Sequence, residues 1–284
     1  MIRLVASDID GTMIGENNNI TQKNRKAIKD MRQSNIDFTI CTGKPYSMVK
    51  NFCKDLQANY GIFGNGNQII NLKTGKEIFR KTLSQEQVNI CNSVVKRDKL
   101  HIHLYTENEV ITPQLLYMDL RNFVLKDSIY HSNLDFKVVP NIEEYIKQYQ
   151  PTVFKLVISS PSNLQYLKDE LDKVINLTIY RVKKSNQYKD RVINKEYEYL
   201  DITPSNTNKN EALTMLTQYL ELSSSEVMAI GDNLNDVDMI RYAGVGVAVA
   251  NAYDDVKKVA TYTTRNNADN SGFAEAIYKY ISFN

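Results

Sequence analysis

A short, mostly apolar run, Ile2-Arg3-Leu4-Val5-Ala6, stops abruptly at Asp8-Ile9-Asp10-Gly11-Thr12. The pattern reads as a buried strand over residues 2–8 that ends on Asp8, with Asp10 just beyond it in a loop that Gly11 allows to turn. Two carboxylates held that close repel one another, and a cation offsets the repulsion. The pentad therefore points to a metal-binding or phosphoryl-transfer site. An Asx turn is the competing reading, because Asp and Gly are favoured after strands for purely local reasons.

The segments that follow repeat the theme. Thr21 to Gln33 reads as a helix with Ala27, Ile28 and Met31 on one face and Thr21 as its N-cap. Residues 36–41 form a second strand, ending at Thr42-Gly43-Lys44-Pro45. Met48 to Leu56 is a short helix, and Tyr60–Phe63 a third strand, ending at Gly64-Asn65-Gly66. Strands alternating with helix-length segments imply parallel pairing in a doubly wound sheet, where ligands bind beyond the carboxyl ends of the strands. Asp8, Thr42 and Asn65 all fall at such ends. Residues 68–71 and 77–80 then read as a hairpin.

From about residue 83 the texture changes to an α+β pattern without acidic strand ends, continuing through 198–202 to a turn-rich exit at Thr203-Pro204-Ser205. After Glu211–Tyr219, read as a helix, the first texture returns. A short strand over 227–230 ends at Gly231-Asp232-Asn233-Leu234-Asn235-Asp236, and 244–249 is another apolar strand. The expected organisation is a discontinuous core, 1–82 with 204–284, and an inserted α+β domain, 83–203.

Composition limits the alternatives. A net charge of +2 over 284 residues offers no broad basic face, so nucleic acid is not an expected partner. No apolar run approaches the ~20 residues of a membrane span, and none resembles a signal peptide. Cys41, Cys53 and Cys91 are odd in number and unpaired in spacing, which fits a reducing, cytoplasmic setting. Nothing in the sequence indicates an oligomeric state.

Asp232 and Asp236 join Asp8 and Asp10 on one predicted sheet edge. Four converging carboxylates with no His or thiolate partner favour Mg²⁺ over zinc. Thr42 and Gly43 would offer a hydroxyl and a backbone N–H to a phosphate oxygen, and Lys209 a fixed positive charge. Each has a plainer reading: Asp232 as a turn residue, Asp236 or Thr42 as helix caps, Lys209 as a solvated lysine with Lys189 and Lys195 as rivals. His101, His103 and His131 form no metal-ligand cluster. His101 and His103 read as a partly buried strand face, and Cys41 as a small buried hydrophobe.

Taken in order, Asp8-Ile9-Asp10-Gly11-Thr12, Thr42-Gly43-Lys44, Lys209 and Gly231-Asp232-Asn233-Leu234-Asn235-Asp236 resemble the four motifs of the haloacid dehalogenase superfamily. The long insertion, and Phe63-Gly64-Asn65-Gly66, resemble its Cof-type phosphatases. The resemblance implies an α/β class fold, a Rossmann-like doubly wound parallel sheet core carrying an inserted α+β cap domain that acts as a lid. It also implies a phosphatase acting on a small phosphorylated metabolite. Asp8 would be the nucleophile and Asp10 the general acid and base. Asp8, the backbone carbonyl of Asp10, and Asp232 would hold Mg²⁺. Thr42, Gly43, Lys209 and Asn235 would hold the phosphate, and Asp236 would orient Lys209 or a metal-bound water. Three features depart from the pattern: Lys44 stands where arginine is common, Asn210 where glycine is usual, and Lys183 to Tyr197 is longer and more charged than expected. A phosphomutase, a phospho-accepting receiver module and a non-catalytic phosphosugar sensor are the competing functions.

Overall fold

The computed structural model describes residues 1–17, 19–115, 135–174, 176–183 and 198–283. Its first elements are β1 (Leu4–Ser7), α1 (Gln22–Gln33), β2 (Asp37–Cys41), α2 (Tyr46–Asp55), β3 (Tyr60–Phe63) and the hairpin β4 (Gln68–Asn71) and β5 (Glu77–Arg80). Next come α3 (Gln85–Arg97), β6 (His101–Tyr105), β7 (Glu109–Thr112), β8 (Asp135–Val138), α4 (Ile142–Tyr149), β9 (Lys155–Ser160), α5 (Gln165–Val174), β10 (Leu177–Lys183) and β11 (Glu198–Pro204). The chain closes with α6 (Lys209–Tyr219), β12 (Val227–Gly231), α7 (Val237–Tyr242), β13 (Val245–Ala248), α8 (Asp254–Val259), β14 (Tyr262–Thr263) and α9 (Gly272–Tyr280). Contacts divide the chain into two compact units, with Met1–Arg80 and Asn208–Asn284 in the first and the described residues between 81 and 207 in the second.

The first unit is built on an eight-stranded sheet of order β14-β13-β12-β1-β2-β3-β4-β5. β1 pairs in parallel with β2 on one side and β12 on the other, and all four of its residues are buried. Helices cover both faces of such a parallel sheet, which is why Leu4-Val5-Ala6 is apolar without alternating. From β1 the sheet grows through β2 and β3 in one direction and through β12 and β13 in the other, which makes β1 the switch point of the topology. The crevice such a reversal opens lies at the carboxyl ends of the strands, where Asp8 and Asp232 sit.

Several elements begin or end away from their expected positions, for local reasons. α1 starts as expected, Thr21 accepting a hydrogen bond from Asn24 N at 3.1 Å. α2 begins at Tyr46, directly after Pro45 in the N-cap position. α6 begins at Lys209, two residues ahead of Glu211, because Asn208 caps it by accepting from Glu211 N at 2.8 Å. Thr203 and Pro204, expected in a turn, close β11, paired with Thr178 and Leu177 of β10.

Asn24 ties the two ends of the chain together. Fully buried, it donates to Met13 O at 3.1 Å and accepts from Ala274 N at 3.1 Å. Asn24→Ala strands two buried backbone groups and is expected to cost about 2–4 kcal/mol, read as a lowered thermal midpoint. An unchanged midpoint would show that these bonds carry no net stability.

The second unit is a six-stranded sheet of order β10-β11-β9-β6-β7-β8, antiparallel except where β7 meets β8. Ile102, Leu104, Leu156, Ile158, Leu200 and Ile202 form one face and join the helices in a separate apolar core. His101 and His103 lie on the other face. Both are buried rather than partly exposed, and their Nε2 atoms stand 3.1 Å apart. Lys189, Lys195, His131 and nearly all of the Lys183 to Tyr197 stretch fall outside the described residues. No helix among the described residues is long and apolar enough to cross a membrane.

Candidate active site

Strand ends of the first unit and the first residue of α6 supply the site. Asp8 follows β1 and continues its ladder, its N–H donating to Ile230 O at 3.0 Å. Only 7% exposed, it accepts a hydrogen bond from Lys209 Nζ at 2.7 Å. The same ammonium, 1% exposed, donates to Asp236 Oδ1 at 2.6 Å. The other oxygen of Asp236 accepts the backbone N–H groups of Asp232 and Asn233, each at 3.0 Å. One buried carboxylate thus shapes the turn after β12 and holds the lysine in place.

Asp232 is clasped by the opening pentad. Thr12 Oγ1 donates to its Oδ1 at 2.7 Å. Gly11 has φ +83°, and a Cβ there would stand 2.3 Å from Asp232 Oδ2. No side chain fits that space, so glycine is needed here for both conformation and room. Asp8, Asp232 and Asp236 each present a carboxylate oxygen within 4.8 Å of the others, all three buried. This all-oxygen donor set matches the preference of Mg²⁺.

Electrostatics at the site follow from burial. Desolvation raises the Asp8 carboxyl from 3.8 to about 7, with Lys209 opposing the rise and Asp236 and Asp10 adding to it. Asp232 is raised well above the usual carboxylate range, chiefly by burial and then by Asp8 and Asp236. Burial pulls Lys209 down, but Asp236 and Asp8 outweigh it and hold the ammonium charged. The lysine alone therefore leaves the cluster short of positive charge, the condition in which a divalent cation binds.

Asp10 does not join this cluster. The sequence suggests four converging carboxylates; three converge, and the half-exposed Asp10 carboxylate forms an ion pair with Lys44. The strand alternation that would place Asp8 and Asp10 on one face stops with β1 at Ser7, and the backbone bends at Ile9, between the two carboxylates.

Asn65 links the Thr42-Gly43 segment to Asn235 at a second point of the first unit. Thr42 Oγ1 accepts from Lys44 N at 3.2 Å, so its O–H remains to donate. Asn235 Nδ2 donates to Asn65 Oδ1 at 3.0 Å, and that oxygen lies 2.9 Å from where a Gly43 Cβ would be. Sequence reasoning assigned no role to Thr12, Lys44 or Asn65. Thr12 and Lys44 stand in the same motifs as assigned residues and Asn65 at a strand end; their partners are distant in the chain.

A family model for haloacid dehalogenase-like hydrolases matches residues 5–277. The chain is a haloacid dehalogenase-like hydrolase. It is similar to a Bacillus subtilis protein named putative phosphatase YxeH, 27% identical over 288 residues and covering 99% of each chain. It is also similar to the 5-amino-6-(5-phospho-D-ribitylamino)uracil phosphatase YwtE of the same organism, 26% identical over 303 residues and 99% of each. Among solved structures, a haloacid dehalogenase-like hydrolase from Bacteroides thetaiotaomicron shares the fold with a TM-score of 0.83. It is 24% identical, over 99% of this chain and 100% of that one. The hydrolase thus has an α/β Rossmann-like core and an α+β cap.

Proposed function

We propose that this hydrolase is a Mg²⁺-dependent phosphatase of small phosphomonoesters, sugar phosphates or phosphorylated cofactors, working through an aspartyl-phosphate. The observation that carries the reading is buried Lys209 bridging Asp8 and Asp236 beside Asp232. It holds one oxygen of Asp8 and leaves the other for attack on phosphorus. The relatives named as phosphatases, one of them acting on a phosphorylated ribitylamino-uracil, support the same class.

In the first step Asp8 attacks phosphorus in line, the bond to the leaving oxygen breaks, and Asp10 donates a proton to that oxygen. In the second step Asp10 takes a proton from water, which attacks phosphorus and releases inorganic phosphate and free Asp8. Thr42 O–H, the Gly43 N–H, Lys209 and the Asn235 amide stabilise the phosphoryl oxygens. Asp8, the Asp10 carbonyl and Asp232 would hold Mg²⁺, which supplies charge neutralisation so that an anionic nucleophile can approach an anionic ester. Asp236 orients Lys209. Residues 83–203 serve as the lid that selects the leaving group, and the free, buried cysteines suit a cytoplasmic enzyme.

The test is phosphate release from a panel of sugar phosphates, pyridoxal phosphate and FMN, with Mg²⁺ and after chelation. Hydrolysis in Mg²⁺ and loss after chelation are expected. Sugar-phosphate isomerisation without phosphate release would instead identify a phosphomutase. Stability carries a second signature. The folded protein keeps the Asp8 proton to about 7, whereas an unperturbed carboxyl loses it near 3.8. Metal-free stability therefore falls as pH rises through that window. Saturating Mg²⁺, at about 100 times its Kd, is expected to restore about 2.7 kcal/mol, with the gain in midpoint growing from pH 5 to pH 8. A gain independent of pH would place the ion elsewhere.

A further inference from the structure

The turn Gly64-Asn65-Gly66 after β3 has three consecutive residues at positive φ, 57°, 57° and 103°, the only such run among the described residues. Glycine would meet the backbone demand at all three positions. An asparagine in the middle is locally second best, although Asn tolerates this region better than most residues. Its side chain is 2% exposed, so the amide is not retained for solubility.

What the turn touches accounts for the choice. Asn65 N donates to Thr42 O at 3.1 Å and Gly64 N to Lys44 O at 3.0 Å, tying the turn to the segment after β2. The Asn65 amide packs on Gly43, with Oδ1 at 2.9 Å and Nδ2 at 3.2 Å from the position of an absent Cβ. Gly66 lies so close to Asn208 that a Cβ would stand 2.2 Å from its carbonyl oxygen, and Asn208 caps the helix that begins with Lys209. Asn65 Oδ1 also accepts from Asn235 Nδ2 at 3.0 Å. Asn235 Oδ1 is buried and has no hydrogen-bond partner among the described residues, so nothing at that end of the amide resists its rotation. A rotated Asn235 would present an oxygen where an N–H is needed.

We propose that Asn65 is a positioning residue for phosphate: its Oδ1 fixes the Asn235 amide with the second N–H free for a phosphate oxygen, and its turn sets Thr42-Gly43 and Lys209 around the same anion. This rests on the phosphatase reading. It explains why position 43 is glycine, since the Asn65 amide occupies the space of a side chain there.

The test is Asn65→Gly, which keeps the backbone conformation and removes only the amide. With p-nitrophenyl phosphate, KM is expected to rise about tenfold with kcat little changed, and binding of inorganic phosphate by calorimetry to weaken about tenfold, the loss of one oriented hydrogen bond. The melting midpoint is expected to stay level or rise. A merely structural role would lower kcat through a smaller active fraction and leave KM alone. The double variant with Asn235→Ala is expected to bind phosphate no more weakly than Asn235→Ala alone. Wild-type phosphate affinity in Asn65→Gly, or additive losses in the double variant, overturns the proposal. Phosphate binding measured in an Asp8→Asn background separates the two readings. Turnover that survives Asp8→Asn removes the mechanism and leaves the Asn65 effect readable, whereas a wild-type protein that binds no phosphate removes both.

Discussion

Asp8→Asn is expected to lower kcat for phosphomonoester hydrolysis by about 10⁴-fold or more while leaving the protein folded. The amide keeps the shape and one acceptor oxygen toward Lys209, which stands 2.7 Å away, but it cannot form the aspartyl-phosphate. The fold should tolerate it because burial already disfavours the charged form of this group, its carboxyl being raised to about 7. Sign and window follow from that rise. Above about pH 7 the parent bears an ionised, desolvated Asp8 that the variant lacks, so the metal-free variant should melt at or above the parent at pH 8. Below pH 5, where the parent carboxyl is neutral, the two should converge. Undiminished turnover by purified Asp8→Asn protein would sink the covalent mechanism outright.

Lys209→Met is expected to damage stability and activity together. The ammonium is 1% exposed and answers two carboxylates, at 2.7 Å and 2.6 Å. Removing it leaves both without their shared cation in a desolvated pocket, at a cost of about 3–5 kcal/mol. For a unit of this size that is roughly 6–20 °C in the melting midpoint. Lys209 is the chief influence lowering Asp8, so without it that carboxyl rises further and the deficit should shrink on acidification and widen toward alkaline pH. Adding Asp236→Asn should recover much of the stability, because one amide oxygen can still accept the N–H groups of Asp232 and Asn233. Activity should not return, since Asp8 and the phosphate would still lack the cation. A single variant that melts like the parent would show that the bridge is not a source of stability.

How legible the chain was depends on how far apart the interacting groups lie. β3 and the β4–β5 hairpin occupy the residues their apolar and turn patterns mark, and Thr21 caps α1 as its hydroxyl suggests. These are effects of neighbours, carried by alternation, turn chemistry and one side chain reaching three residues along. The boundary at Lys209 was missed because Asn208 acts as a cap only once its backbone is extended. The fate of Asp10 was missed because its partner, Lys44, lies across the sheet edge.

What the sequence determined by itself is that Asp8, Thr42, Asn65 and Asp232 stand at strand ends, since an apolar strand must be buried and must surface at its tip. Which of them meet was decided only by the tertiary structure. Thr12 reaches Asp232 across 220 residues, Lys209 reaches Asp8 across 201, and Asn235 reaches Asn65 across 170. No local periodicity encodes those distances. They follow from the sheet order, which places β12 beside β1 and so turns two remote acidic turns into one buried cluster around a single lysine.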